Sequence, residues 1–187
     1  DAELQQTITD ARKAYPNDKD IIIDELNYYI ENGKAKEAIN TMNLAIEKDP
    51  SNSILYFNLG TLYDNLANPK SGPELKEAER KDYMTKAESS YKKALELNPK
   101  YFDALFNLGA MYYNEGVKMN DNANAIKDPK KYDQEMLKVD AKFLEAMVPF
   151  EKAKEVGTED RSSYIALLNS LKQLYARTGQ IEKRKAI

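Results

Sequence analysis

Two stretches of this chain carry the same text. AIEKDPSNSILYFNLGTLY, from Ala45 to Tyr63, aligns without a gap on ALELNPKYFDALFNLGAMY, from Ala94 to Tyr112, at an offset of 49 residues. Self-similarity of this kind marks stacked supersecondary units, none of which buries its apolar face alone. Within both copies the apolar residues recur three and four positions apart, the period of a helix rather than of a strand. Between helices stand Asp49-Pro50-Ser51-Asn52 and Asn98-Pro99-Lys100-Tyr101, and a third such group is Tyr15-Pro16-Asn17-Asp18. Proline cannot continue the helix before it, and Asn, Asp or Ser can cap the one after it.

Outward from the doubled passage the same grammar continues. Asp20 to Asn32 reads as one helix ended by Gly33, and Lys34 to Lys48 as the next. The positions Ala38, Met42, Ala45 and Pro50 return as Ala87, Tyr91, Ala94 and Pro99. They return again as Ala146, Phe150 and Ala153, with Thr158 where proline is expected. The preceding helices carry Tyr56, Leu59, Gly60, Tyr63 and Leu105, Leu108, Gly109, Tyr112. This pattern resembles the tetratricopeptide repeat, a helix-turn-helix unit of 34 residues, and Pro50 follows Pro16 by 34 residues. One repeat departs from it, with Glu25 and Leu26 at the Leu-Gly pair. The resemblance implies an all-α chain, a right-handed superhelical solenoid of antiparallel helix hairpins. Gly60 and Gly109 in mid-helix cost about 1 kcal/mol each relative to Ala, so a close helix contact is expected at both.

The spacing also departs from the family's. Tyr29 to Ala38 is 9 residues, but Tyr63 to Ala87 is 24 and Tyr112 to Ala146 is 34, so two repeats carry insertions of 15 and 25 residues at the same place. The expected organisation is a single array over 1–187. Residues 1–18 are the second helix of a partial repeat (Leu4, Ile8, Ala11, Pro16) and 19–52 a repeat. Residues 53–101 form a repeat with an insertion at about 67–81, and 102–160 one with an insertion at about 116–140. Residues 161–187 form a terminal partial repeat (Leu168, Leu171, Tyr175, Gly179). The first insertion reads as a loop, Asn68 to Pro73, and then an extension of the second helix from Glu74. In the second, Asp121-Asn122-Ala123-Asn124 lacks the Gly and Glu of a calcium loop and reads as a turn. Tyr132, Met136, Val139 and Phe143 then fall at helix spacing, which predicts a protrusion made by lengthening both helices. Pro149 is expected to kink the second helix near Glu145.

Composition narrows the function. Lys and Arg total 28 against 31 Asp and Glu, a net charge of -3, which argues against a nucleic-acid surface. The chain has neither His nor Cys, and so lacks the commonest general base, the commonest metal ligand and any thiol. No apolar run approaches the roughly 18 residues of a membrane span. Glu77, Glu79, Asp82 and Glu88 sit in mixed-charge runs that read as solvated helix faces. Phosphate loops, zinc spacings and nucleophile elbows are absent. Of the 13 Tyr, Tyr29, Tyr63, Tyr91 and Tyr112 fall at repeat-core spacing, which reads as packing rather than base stacking. The expectation is a non-catalytic chain with no cofactor or metal.

The resemblance implies a concave groove, lined by first helices, that holds a peptide or protein segment. The positions carried over are Ile23, Asn27 and Ile30, then Phe57, Asn58, Thr61 and Asn65. The later repeats give Phe106, Asn107, Ala110 and Asn114, then Asn169, Gln173 and Arg177. Amides there can bond both donors and acceptors of a peptide backbone, although polar residues on a solvated helix face need no such role. One branch of the family clamps a C-terminal carboxylate with Lys, Arg and Asn. Asn27 and Asn58 fall at its two Asn positions, but Ile23, Asp103 and Asn107 stand at the cationic ones, so that clamp is not expected. The other expected role is a structural spacer or self-assembly segment of a larger protein, as a homo-oligomer. The chain is expected to be bacterial, from the cytoplasm or, with a signal peptide removed, the periplasm.

Overall fold

The computed structural model describes residues 2–16, 18–69 and 75–187, and the side chains of all of these except Ala2, Lys19 and Ile23. Among the described residues the chain is all helix: α1 (Ala2–Ala14), α2 (Lys19–Glu31), α3 (Ala35–Lys48), α4 (Ser53–Ala67), α5 (Glu77–Leu97), α6 (Phe102–Asn124), α7 (Pro129–Val156), α8 (Arg161–Arg177) and α9 (Ile181–Lys185). They gather into two compact units, 1–97 and 98–187.

The punctuation works through caps. Asp18 accepts from the amides of Asp20 and Ile21 at the start of α2, Asn52 from Ile54 at α4, Asp128 from Lys131 at α7, and Asp160 from Ser162 at α8. Each satisfies amides that the first turn leaves without a partner. Gly33 follows α2 at φ 67°, a left-handed conformation that costs glycine nothing. Where Thr158 replaces the expected proline, Gly157 ends α7 at φ 72°.

In the first unit, Ile22 and Leu26 of α2, Ala38, Met42 and Ala45 of α3, and Leu55, Leu59 and Leu62 of α4 form one buried cluster. Glu25, at the position where other repeats have Leu, pairs with Arg12 of α1 at 2.8 Å, both side chains largely covered. The departure from the repeat pattern thus supplies one of the ties between α1 and α2, beside the hydrogen bond from Tyr28 to Gln5. The α4–α5 hairpin is antiparallel: Gly60 meets Tyr91, and Tyr63, further along α4, meets Tyr83, earlier in α5.

In the second unit, α6 and α7 pair in the same sense, Gly109 against Phe150 and Gly116 against Phe143. A Cβ on Gly109 would stand 2.6 Å from the Phe150 ring, and one on Gly60 2.7 Å from that of Tyr91. Both mid-helix glycines therefore allow a ring to lie on bare backbone. Leu167, Leu171, Leu174 and Tyr175 of α8 are buried, and Tyr175 donates to Glu151 of α7 at 3.0 Å.

Two expectations need correction. Asp121 to Asn124 is not a turn but the last turn of α6, because Ala123 is buried there and packing outweighs the weak helix preference of Asn and Asp. In α8 the spacing predicts Leu168, Leu171 and Tyr175 inside; Leu171 and Tyr175 are buried, but Leu167 takes the place of Leu168, and Leu174 is buried as well. The extension from Glu74 falls partly outside the described residues, and α5 begins at Glu77. α7 runs on through Pro149, which is itself buried; the carbonyl of Glu145 has no amide to accept from there.

Candidate functional site

The predicted positions fall into three groups. Asn27 and Ile30 of α2 and Asn58, Thr61 and Asn65 of α4 come together around a cavity of about 350 Å³ floored by Leu26, Met42 and Leu62. Repeat geometry brings them together, because each stands on the free face of its helix while the buried cluster takes the other face. Among the described residues the side-chain amides of Asn27, Asn58 and Asn65 make no hydrogen bond within the chain. Thr61 is partly committed: its hydroxyl donates to the Phe57 carbonyl at 3.1 Å and accepts from the Tyr91 hydroxyl at 3.3 Å. Among the described residues no charged side chain lines this cavity.

A second group is used for packing. Phe57 lies 6.0 Å from the Tyr91 ring, and Phe106 lies 6.1 Å from Phe102 and 5.7 Å from Phe150. Both are half-buried by these partners. Asn107 and Ala110 are half-buried, while Asn114 and Asn169 are exposed, and none of these four lines a cavity described here. Ile23 lies on α2, its side chain outside the described residues.

The third group is Gln173 and Arg177 of α8, which line a smaller cavity of about 260 Å³ with Tyr113, Val117 and Asn120 of α6 and Phe143 of α7. Here the groups already bond one another. Gln173 accepts from the Tyr113 hydroxyl, and Arg177 reaches Asp140 at 3.1 Å and Asn120 at 3.3 Å while lying 4.5 Å over the Phe143 ring.

A further cleft of about 400 Å³ had no sequence signal of its own, because it depends on how α1 docks. Leu4, Thr7, Ile8 and Ala11 of α1 face Ile21, Asp24, Asn27, Tyr28 and Glu31 of α2 across it. Asn27 lines both this cleft and the amide cavity. Tyr28, not Tyr29, is the buried tyrosine of α2. On α4, burial pushes the Asp64 carboxyl up, against the lowering effects of the Asn68 amide and the Arg80 charge. Among the described residues no group of three or more carboxylates is placed to hold a metal, and no helix is long and apolar enough to cross a membrane.

Comparison with known proteins accords with this architecture. The family described as "Tetratricopeptide repeat" matches residues 41–86, and that described as "TPR repeat" matches residues 85–116. No curated protein matches the sequence. A crystal structure of MamA superposes with a TM-score of 0.58 at 18% identity, covering 97% of this chain and 80% of MamA. The first tetratricopeptide unit of Spaghetti (RPAP3), solved with the HSP90 peptide SRMEEVD, gives 0.53 at 19% identity, covering 85% of this chain and 91% of that one. The human IFIT1 dimer with m7Gppp-AAAA gives 0.52 at 16% identity over 97% of this chain and 43% of IFIT1. At such identities the likeness is one of fold, and it agrees with the repeat matches and with the paired helices: the chain carries tetratricopeptide repeats over residues 41–116 within a fold of that kind.

Proposed function

We propose that this chain is a non-catalytic interaction module that holds an extended peptide or protein segment against α2 and α4. The observation that carries the reading is the 350 Å³ cavity where Asn27, Asn58 and Asn65 surround an apolar floor. Each amide offers a donor and an acceptor, the complement of a peptide unit, and the floor can receive an apolar side chain. The RPAP3 unit solved with SRMEEVD is a use of the same fold that supports the reading. An acidic tail of that kind would find no Lys or Arg in this cavity, so the segment held here differs in charge. Peptides selected from a displayed library against the wild-type chain should bind Asn58→Ala about 5- to 10-fold more weakly, the effect of losing one hydrogen bond of about 1 kcal/mol. If titration calorimetry finds every selected peptide indifferent to Asn58→Ala and Asn65→Ala, the groove is not the site.

A second reading has its own observation. Leu137, Leu144 and Val148 are exposed along α7, seven and four residues apart. That spacing sets a seam of apolar side chains on one side of a helix, as in helices that pair with another helix. A self-assembly role through this seam predicts a concentration-dependent mass that Leu144→Glu abolishes. A single monomeric species in sedimentation velocity at all concentrations would remove it.

A further inference from the structure

The first unit carries two carboxylates, Asp24 and Glu31, on the cleft beside the amide cavity. Asp24 and Glu31 stand on the α1–α2 cleft, exposed, above an apolar floor that includes Leu4, Ile8 and Ile21. Among the described residues neither carboxylate has an ion partner, and two neighbouring cations, Arg12 and Lys34, are engaged elsewhere. Arg12 pairs with Glu25 and donates to the Pro16 carbonyl. Lys34 donates to Gln5 at 3.0 Å and lies 5.1 Å from the centre of the Tyr28 ring. Among the described residues no Lys or Arg lines this cleft or the amide cavity beside it. Asn27 borders both, so the amide cavity and the acidic cleft adjoin at this residue of α2.

We infer that the partner of this site is an extended, basic-apolar peptide segment: apolar side chains seated in the α1–α2 cleft, with Lys or Arg at its edges beside Asp24 and Glu31. The spacing follows from helix geometry. Asp24 and Glu31 are seven residues apart, about 10 Å along α2 at 1.5 Å per residue. An extended chain covers that distance in about three residues at 3.3 Å each. The two cations of the segment are therefore three or four positions apart, with apolar residues between them. An acidic segment would meet two like charges, which disfavours it.

This inference rests on the groove reading and is tested together with it. The probe is a random decapeptide display library, selected in parallel against the wild-type chain and against Asp24→Asn/Glu31→Gln. Both substituted side chains are exposed, and matched circular dichroism melts check the fold. The expected result is enrichment of Lys or Arg pairs three or four residues apart in the wild-type pool, with that enrichment absent from the variant pool. A recovered peptide should bind the double variant at least 10-fold more weakly at low salt, and the difference should shrink as salt screens the charges. Recovered peptides that need Asn58 but show no basic enrichment, or the same enrichment against the double variant, overturn this inference and leave the groove reading standing. A selection yielding no peptide that depends on Asn58 overturns both.

Discussion

The smallest decisive feature is a missing methyl group. Gly60 lies under the ring of Tyr91, whose Cδ1, Cε1 and Cγ would be 2.7, 2.8 and 3.1 Å from an added Cβ. Alanine is the better helix former by about 1 kcal/mol, but the ring body of a fully buried tyrosine has no room to yield, and overpacking of this kind costs about 1–3 kcal/mol. Gly60→Ala should therefore destabilise the chain by about 1–2 kcal/mol, read from urea denaturation. The first repeat shows how nature sizes the same pair differently, with Leu26 at the glycine position and Met42 at the aromatic one, both buried. Hence Gly60→Ala with Tyr91→Leu should cost less than the sum of the single changes, and strict additivity would refute the contact. A second residue-scale effect is titration. Burial, then the hydrogen bond to Glu151, pushes the Tyr175 hydroxyl up to about 12. A group whose folded pKa is raised contributes stability in full below its unfolded value near 10 and loses it as pH rises toward the folded value. Unfolding midpoints should fall between about pH 10 and 12, and Tyr175→Phe should flatten that fall. Burial alone would raise Glu151, but bonds from Lys183 and Tyr175 hold it below its ordinary value. Its contribution is present above that ordinary value and is lost as pH falls through the folded one.

At the scale of elements, the caps set where helices begin. Asp128 accepts from the Lys131 amide at 2.9 Å, and Pro129 occupies the first helical position, where its missing amide costs nothing. Asp128→Ala should cost about 1 kcal/mol and raise hydrogen exchange at Lys130 to Asp133, leaving the Ala146–Ala153 segment protected; an unchanged first turn would show the cap to be inert. The helices were legible in the sequence because proline, glycine and capping residues act locally, so Gly33, Pro50 and Asp160 mark boundaries without tertiary knowledge. The end of α6 was not, because Ala123 is held by packing against weak local preference. Nor was Leu167 over Leu168, since which side of α8 is covered depends on α7. The candidate site divides the same way. Asn27, Asn58, Thr61 and Asn65, positions implied by the family resemblance, line one cavity. Phe57 and Phe106 were drawn into aromatic contacts that depend on partners about 34 and 44 residues distant along the chain. The α1–α2 cleft depends on the Arg12–Glu25 tie, a pairing that no repeat pattern encodes.

At the scale of the whole chain, surface charge contributes little to stability. Most ion pairs join residues three or four apart on one helix, such as Lys86–Asp82, Lys92–Glu88 and Lys138–Glu135. Exposed pairs of that kind contribute at most about 0.5 kcal/mol each. Stability resides instead in the buried faces of the paired helices, and those faces are distributed over two compact units, 1–97 and 98–187. In repeat proteins stability is approximately a sum of local terms, each repeat acting mainly on its neighbours, and opening proceeds by contiguous cooperative segments. The two glycine contacts, one in each unit, make this testable with matched perturbations. Gly60→Ala strikes the α4–α5 pair and Gly109→Ala the α6–α7 pair, through Cβ approaches of 2.7 and 2.6 Å. In native-state hydrogen exchange, Gly60→Ala should accelerate α4 and α5 by about 5- to 30-fold, corresponding to 1–2 kcal/mol, with a much smaller change in α7. Gly109→Ala should give the reverse. Equal acceleration of all four helices by either substitution would mean that the chain opens as one cooperative body.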